Sequence, residues 1–320
     1  MLGLSILQGG CATLASNLTS LDLQKHHEHR QRRAGVVVWT IITGGHEKTI
    51  KEPEKGCSGA NWLYYSDRAI NRRNNSCWES RSMTQHLEYL GDPRTRNTRY
   101  ALHANLTVPT LVWYKLHAYM LDDLLPYRWC VWVDGTVVLR MPIASPIFQN
   151  VIQNTSMITA FEHCAVNPPS RWERCRHGKL ETELHQTVAS IKAYAPKYYG
   201  RTKEEAVSIL EAQRQWYFNE SGFKEHWFLS HPDFEKHATS NRKEYGVFWV
   251  GLMVFNLANP ETEQFLDTWF YETMNTSLQC QVTFSYAAWK TGLLPHSLPA
   301  HGVTGNWFRS SLHKKGPHGK

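Results

Sequence analysis

Apolar runs and helical periodicities alternate along the chain from about residue 35 to residue 295. Five apolar runs, several rich in β-branched residues, predict buried strands at 35–43, 62–65, 128–134, 157–161 and 246–256. A 3.6-residue period predicts helices at 109–125, 179–194, 203–218 and 279–290, and Asn259 with Pro260 begins another. The polar, arginine-rich stretch 71–105 predicts a long irregular surface excursion. Strands that alternate with helices predict an α/β fold.

The two ends of the chain differ from this middle. Residues 1–34 lack periodicity and become rich in His and Arg after a mildly apolar start, which predicts a poorly ordered leader or stem, and residues 311–320 form a basic tail. Residues 35–310 are then expected to form one domain. The first 15 residues are mildly apolar but lack a basic start, so they make a poor signal peptide. We expect any membrane tether to require a targeting segment that precedes this sequence.

The composition is that of a globular protein, with 42% hydrophobic and 20% charged residues. The net charge is +7, but the basic clusters lie only at Lys25–Arg33 and His313–Lys320. Basic residues interleaved with aromatic ones do not recur along the chain as they do in single-strand binders, which argues against a nucleic-acid partner. The 13 Trp and 14 Tyr fit either an aromatic core or a cleft that binds sugar rings.

Asparagine sequons and cysteine spacing indicate the compartment. Asn-x-Ser/Thr occurs at Asn17, Asn74, Asn105, Asn154, Asn219 and Asn275, which predicts a secretory-pathway protein, in the Golgi lumen or secreted. Cys57 with Cys77, and Cys164 with Cys175, are close enough in sequence to form loop-closing disulfides. Cys130 lies in a predicted strand and is expected to be a buried thiol. No cysteine or histidine spacing typical of zinc occurs.

The segment WVDGT, residues 132–136, is the central chemical feature. Asp134 follows a buried strand, where open α/β sheets bind ligands, and Gly135 leaves room beside it. A carboxylate there suits a divalent ion, Mn²⁺ or Mg²⁺, that offsets the charge of a leaving diphosphate. An Asp-Gly pair after a strand is also typical of a plain turn. Thr136 is not a second acid, so a metal would need another ligand.

Six short motifs follow one another along residues 36–295. The first three are VWT…GGH within residues 38–46, LYYSD at 63–67 and K.H…LP…WVDG within 115–135. The last three are EH at 162–163, EE…Q…Y…ESG within 204–222 and W..E…Q..FSY..WK.G within 269–292. Their order and spacing resemble the glycosyltransferase-like family of plant mucilage-related and turgor-regulation proteins, long described as a domain of unknown function. The resemblance implies a GT-A-like fold, a mostly parallel sheet flanked by helices. It also implies sugar transfer from a nucleotide-sugar donor to a glycan or glycoprotein acceptor.

The same resemblance implies the residues of the site. Those expected to act on the reacting groups or the acceptor are Asp134, Glu162, His163, Cys280 and Gln281. Those expected to contact the donor are Thr40, Gly44, Asp67, Lys115, His117 and Gly135. The ammonium of Lys115 is a point charge that suits contact with the donor diphosphate, and the carboxylate of Asp67 suits contact with the base or ribose. Each also has an ordinary explanation as a turn, cap or surface residue, and Lys115 and His117 cannot share one helix face.

The stretch HGVTGNW, residues 301–307, resembles the C-terminal His-Gly-Trp region of glycogenin-like transferases. In those proteins a histidine completes the metal shell. The resemblance implies that His301 is the second metal ligand beside Asp134, because histidine is a common ligand. The alternative is an exposed tail residue.

The family motif RDQ is replaced by Gln279-Cys280-Gln281. A thiol does not supply the charge of a carboxylate, so we expect weak or absent transfer with donor binding retained. Cys280→Asp, together with Gln279→Arg, is then expected to raise transfer. Two alternatives to an active glycosyltransferase remain. One is a catalytically inactive relative that binds nucleotide sugar or glycan. The other, less favoured, is a lipid-amide hydrolase, since a plant relative has been ascribed ceramidase activity.

Overall fold

The computed structural model describes most of the middle of the chain. The described residues are 35–42, 49–66, 69–83, 115–162, 184, 187–189, 191–192, 197–198, 201–223, 248–276, 279–293, 295–298 and 304–310. Gly44, Asp67, His163, Cys164, Cys175 and His301 therefore lie outside the described residues.

Strands and helices alternate through this part of the chain. The strands are β1 (Val36–Ile42), β2 (Asn61–Ser66), β3 (Glu79–Ser82), β4 (Trp129–Val133), β5 (Val137–Leu139), β6 (Ile158–Glu162), β7 (Lys197–Tyr198), β8 (Arg201–Thr202), β9 (Phe248–Asn256), β10 (His296–Leu298) and β11 (Phe308–Ser310). The helices are α1 (Pro146–Asn154), α2 (Lys203–Asn219), α3 (Ser221–Phe223), α4 (Pro260–Asn275), α5 (Cys280–Thr291) and α6 (Thr304–Trp307).

One seven-stranded sheet organises the fold, in the order β10-β6-β9-β4-β1-β2-β3. Every neighbouring pair is parallel except those of β9, which runs antiparallel to both β4 and β6. The predicted α/β fold, a mostly parallel sheet flanked by helices, is confirmed. The long apolar run at 248–256 is central, as predicted, but its direction is opposite to that of its neighbours.

Alternate side chains of the central strands enter two separate apolar layers, because successive residues of a strand point to opposite faces. On one face, Trp39 and Trp132 pack in the layer that contains Leu210 of α2, Phe265 of α4 and Phe284 of α5. On the other face, Val38 and Val131 share a layer with Phe148 of α1 and with Trp307 and Phe308. Both faces of the sheet are therefore covered, which explains why its strands read as continuous apolar runs.

Helix ends follow the signals in the sequence. Asn259 caps α4 by accepting a hydrogen bond from the Glu261 backbone N–H, with Pro260 in the first turn. Thr202 and Glu205 form a reciprocal capping box at the start of α2. Gly292 ends α5 at φ 68°, in the left-handed region that favours glycine.

Two residues of the last motif, Trp269 and Glu272, join α4 to α5. The Trp269 Nε1–H donates to the Cys280 carbonyl at 2.7 Å. Lys290 Nζ donates to Glu272 Oε1, also at 2.7 Å, and the Glu272 side chain is 3% exposed. Burial raises the pKa of the Glu272 carboxyl, and the Lys290 ammonium acts in the opposite direction. These residues hold the two helices together on one face of the sheet.

The predicted helix 109–125 is wrong beyond Leu116. His117 has φ −110° and ψ 35°, and Ala118–Met120 is a short 3₁₀-helix. Nearly every side chain of this stretch is buried: Lys115, Leu116, His117, Ala118, Tyr119 and Leu121. A regular surface helix keeps one face in solvent, whereas these tighter turns direct consecutive side chains inward.

The expected irregular excursion at 71–105 is corrected where it is described. Residues 79–82 form β3, which pairs in parallel with β2 at the edge of the sheet. Its sequence, ESRS, is polar because an edge strand is in contact with solvent, so it lacks the apolar pattern of a buried strand.

Candidate functional site

The carboxyl ends of the parallel strands meet at one edge of the sheet. Ile42 pairs with Ser66, Trp39 pairs with Trp132, and β6 ends at Glu162 opposite the start of β9. Asp134 and Glu162 therefore lie on the same edge, as predicted from their places in the sequence. This is the edge at which open α/β sheets bind ligands.

Asp134 directly follows β4 and is half-buried. Its Oδ1 accepts two hydrogen bonds, from the Thr136 backbone N–H at 3.0 Å and from the Thr136 hydroxyl at 2.9 Å. The Val137 N–H donates to the Asp134 carbonyl at 2.8 Å, which closes a tight turn over Gly135. Oδ2 accepts no hydrogen bond from the described residues. Asp134 is thus both a turn residue and an oriented carboxylate with one oxygen available to a ligand.

An irregularity in β9 positions this turn. The register between β6 and β9 jumps from Ala160–Met253 to Phe161–Trp249, so that residues 250–252 have no partner on β6. Two carbonyls of this segment bind other groups: Gly251 accepts the Asp134 N–H at 2.7 Å and Val250 accepts Lys115 Nζ at 3.0 Å. The bulge therefore contacts two residues of the predicted site.

Gly251 is a site-supporting residue that the sequence reasoning missed. A Cβ atom at this position would lie 2.3 Å from the Trp249 ring, so a larger residue would displace that indole. Trp249 in turn stacks on Phe308 at a ring distance of 4.6 Å. A glycine inside an otherwise apolar strand is a known signal of a bulge or close approach, and it could have identified this position.

Lys115 is enclosed by protein, with 3% of its surface exposed. Besides the Val250 carbonyl, its Nζ lies 3.5 Å from Cys280 Sγ. The ammonium also lies over two indole rings, 5.1 Å from the Trp132 centroid and 5.5 Å from that of Trp269. A carbonyl, a thiol and two ring faces therefore surround this cation. The diphosphate contact expected of Lys115 stays a prediction.

Cys280 is the first residue of α5 and is half-buried, with its thiol directed to Lys115. Gln281 follows on the same turn and is also half-buried. Gln279 precedes the helix without capping it through its side chain, and its Nε2 donates to Thr187 Oγ1 at 3.4 Å. The position at which the family motif has an acid thus faces a buried ammonium.

His117 contacts other groups than Lys115 does. It is 7% exposed, packs edge-on against Phe270 at 4.4 Å, and its Nε2 lies 3.8 Å from Asp267 Oδ1. Phe270 and Asp267 belong to α4, whereas Lys115 reaches β9 and α5. The structure does not bring the two side chains together, and donor contact by His117 stays a prediction.

Thr40 lies in β1, one residue past the Trp39–Trp132 pair, and is 1% exposed. Among the described residues, its Oγ1 has no hydrogen-bond partner, and neither do the indole N–H groups of Trp39 and Trp132. A buried polar group without a partner costs about 1–3 kcal/mol. The donor contact expected of Thr40 stays a prediction.

A metal ion would find one oriented ligand among the described residues. Within that part of the chain, no group of three or more His, Cys, Asp or Glu side chains could hold a metal ion. Asp134 Oδ2 is a hard oxygen donor of the kind that Mn²⁺ and Mg²⁺ prefer. His301, the second expected ligand, lies outside the described residues.

Comparisons with known proteins give similarities of fold. No protein-family model matches the sequence, and no curated protein matches it either. A mannosyltransferase from S. cerevisiae is 9% identical with a TM-score of 0.39, over 83% of this chain and 74% of its own. Mouse xyloside xylosyltransferase 1, apo form, is 11% identical with a TM-score of 0.41, over 87% and 95%.

Core-mannan synthase A from Aspergillus fumigatus, in an Mn/GDP form, is 12% identical with a TM-score of 0.39, over 88% of this chain and 82% of its own. The α/β fold class rests on the sheet and helices described above, and its GT-A-like character stays a prediction. The ligands and substrates of these neighbours are properties of those proteins.

Proposed function

We propose that this chain is a member of the glycosyltransferase-like family named above and binds a nucleotide-sugar donor at the carboxyl edge of its sheet. The observation that carries the proposal is Asp134, which is fixed by Thr136 through Oδ1 and keeps Oδ2 for a ligand. A glycan or glycoprotein is the proposed acceptor.

A divalent ion would be held by Asp134 and by His301, and when bound it would offset the negative charge of the diphosphate. The chain's own contribution is orientation. The bulge of β9 holds the Asp134 backbone through Gly251, and the turn fixes the carboxylate before any ligand arrives. A preorganised carboxylate needs little rearrangement on binding, which favours affinity.

A thermal-shift screen tests the donor site. We expect a nucleoside diphosphate or nucleotide sugar, in the presence of Mn²⁺, to raise the unfolding midpoint. At a ligand concentration 100 times Kd the stabilisation is about 2.7 kcal/mol, or roughly 5–10 °C for a domain of this size. The matching nucleoside without phosphates, and the diphosphate with a chelator, are the controls. A set of nucleotides that leaves the midpoint unchanged would contradict the proposal.

A second candidate is a non-catalytic relative that binds nucleotide sugar or glycan. The contact between Cys280 Sγ and Lys115 Nζ favours it, because a thiol occupies the place of the family's acid beside a buried cation. The two candidates share donor binding and differ in transfer, so an assay of transfer separates them.

We also propose that the protein folds in the secretory pathway. The structure contains the predicted disulfide Cys57–Cys77, which is typical of that compartment. Four of the sequon asparagines, Asn74, Asn154, Asn219 and Asn275, are described, and all are exposed. No helix in the described part of the chain has the length and apolar character needed to cross a bilayer.

Mass spectrometry of protein expressed in a eukaryotic secretory host is expected to find glycans on several of these four asparagines. It should also find Cys57 linked to Cys77, because the Cα atoms lie 5.5 Å apart, within disulfide range. Unmodified asparagines together with reduced Cys57 and Cys77 would argue for a cytosolic protein.

A further inference from the structure

A cleft of about 660 Å³ opens beside β5 and is separate from the Lys115 and Cys280 cluster. Residues 49–54 form one wall, residues 71–73 another, and the antiparallel pair β5–β11 the third. Glu54 N–H donates to the Leu139 carbonyl at 2.8 Å, and the Ile50 N–H donates to the Asn71 carbonyl at 3.4 Å. The three walls are therefore joined by backbone hydrogen bonds.

Four cationic side chains line this cleft: Lys51, Arg72, Arg73 and Arg309. Arg73 is exposed, and its guanidinium makes no hydrogen bond or ion pair with the described residues. Arg72 donates from Nη1 to the Trp78 carbonyl at 3.0 Å, and Arg309 pairs through Nε with Glu54 at 2.7 Å. A guanidinium has five N–H donors, so all three arginines keep donors for an anion.

The two acids of the cleft are already engaged through both oxygens. Glu54 Oε1 pairs with Arg309, and its Oε2 with Arg140 at 3.2 Å. Glu52 Oε1 accepts the Ser76 hydroxyl at 2.5 Å, and its Oε2 accepts the Cys77 N–H at 3.1 Å. These carboxylates hold the walls in place, so the open donors of the cleft belong to its three arginines.

We propose that this cleft binds an anionic saccharide through its carboxylate or sulfate groups. Planar guanidinium forks match both groups, and the described residues of the lining include no aromatic side chain on which a nucleobase could stack. Val138 of the lining is four residues from Asp134, so the two are at most about 14 Å apart along the chain. The cleft is therefore placed to hold an acidic acceptor near the donor site, an assignment of role that rests on the proposed function.

Titration of three oligosaccharide probes against the folded full chain tests this proposal. The probes are a sulfated heparin tetrasaccharide, trigalacturonic acid as the carboxylated probe, and neutral maltotetraose. We expect one or both anionic probes to bind and the neutral one not to bind. Arg73→Gln is expected to weaken anionic binding by about 10-fold or more, because it removes a charge-assisted contact. Sulfated and carboxylated ligands are distinguished by which probe shows this loss.

Lys55→Gln is the matched control, because Lys55 is exposed, close in sequence to Pro53, and outside the cleft lining. An equal loss in Arg73→Gln and Lys55→Gln would show non-specific attraction to a basic protein and overturn the proposal. So would unchanged binding in Arg73→Gln, or Arg73-dependent binding to phosphatidylserine vesicles that exceeds binding to the saccharides. Both variants should retain donor stabilisation by a nucleoside diphosphate, so failure of the cleft and failure of the donor site are separate results.

Discussion

Asp134→Asn is expected to abolish the Mn²⁺-dependent rise in unfolding midpoint that a nucleoside diphosphate produces in the unchanged protein. The amide oxygen can still accept the two hydrogen bonds from Thr136, so the turn is retained. The negative charge that would bind the metal is lost. We therefore expect the ligand-induced stabilisation, about 2.7 kcal/mol at 100 times Kd, to disappear while the midpoint without ligand changes little.

Two further variants separate the ligand role of Asp134 from its turn role. Asp134→Ala should lose the ligand response and also about 0.5–1.5 kcal/mol of stability, because the Thr136 bonds lose their acceptor. Asp122→Asn, at an exposed acid, should retain both properties. Nucleotide binding that survives in Asp134→Asn would show that Asp134 is only a turn residue and that the donor binds elsewhere.

The sheet could be predicted from the sequence because its strands are buried on both faces. The predicted run 35–43 contains β1, and the run 246–256 contains β9, since neither face leaves room for polar residues. The direction of β9 could not be read in the same way. An apolar run specifies burial, whereas parallel or antiparallel pairing depends on the connections between strands.

Helix α1 was not predicted, although the sequence contains the signals for its start. Helix α1 begins with Ser145, whose side chain accepts the Phe148 N–H, and Pro146 stands in its first turn. Phe148, Val151 and Ile152 are buried on one side. The Ser-Pro start and this spacing were available in the sequence.

The candidate site was predictable where it depends on strand ends. Asp134 follows β4 as expected, because a polar residue that ends an apolar run marks the edge of the sheet. The environment of Lys115 was not predictable, because it depends on the β9 bulge and on α5, which lies 165 residues further along the chain at Cys280. Sequence spacing does not report long-range contacts of this kind.

Cys280→Asp is expected to raise the unfolding midpoint and to make stability depend strongly on Lys115. The new carboxylate would replace the Sγ atom that lies 3.5 Å from Lys115 Nζ, where the ammonium is 3% exposed and has no acidic partner among the described residues. A charge-assisted hydrogen bond at such a position contributes about 1.5–3 kcal/mol. Cys280→Asn offers a similar shape without the charge and should not give this gain.

A double-mutant cycle measures the pairing directly. Lys115→Met in the Cys280→Asp background leaves a half-buried carboxylate without its cation and should cost about 1.5–3 kcal/mol more than the same change in the unchanged protein. Urea unfolding of the four proteins gives the coupling energy. Additive effects would show that the residue at 280 does not contact Lys115.

Transfer assays on the same variants decide whether an acid at residue 280 restores activity. They use the donor that gives the largest thermal shift. The sequence predicts that Cys280→Asp, with Gln279→Arg, raises transfer, by about 10²–10⁴-fold if the acid is a general base. Because the Lys115 ammonium would favour the ionised form and lower the pKa of this carboxyl, the acid suits orientation of a sugar hydroxyl better than proton uptake. We therefore expect the transfer rate of the variant to be raised and to stay constant between about pH 6 and 8. A rate that rises with a pKa in that range would indicate a general base instead, and the absence of any gain would favour the non-catalytic candidate.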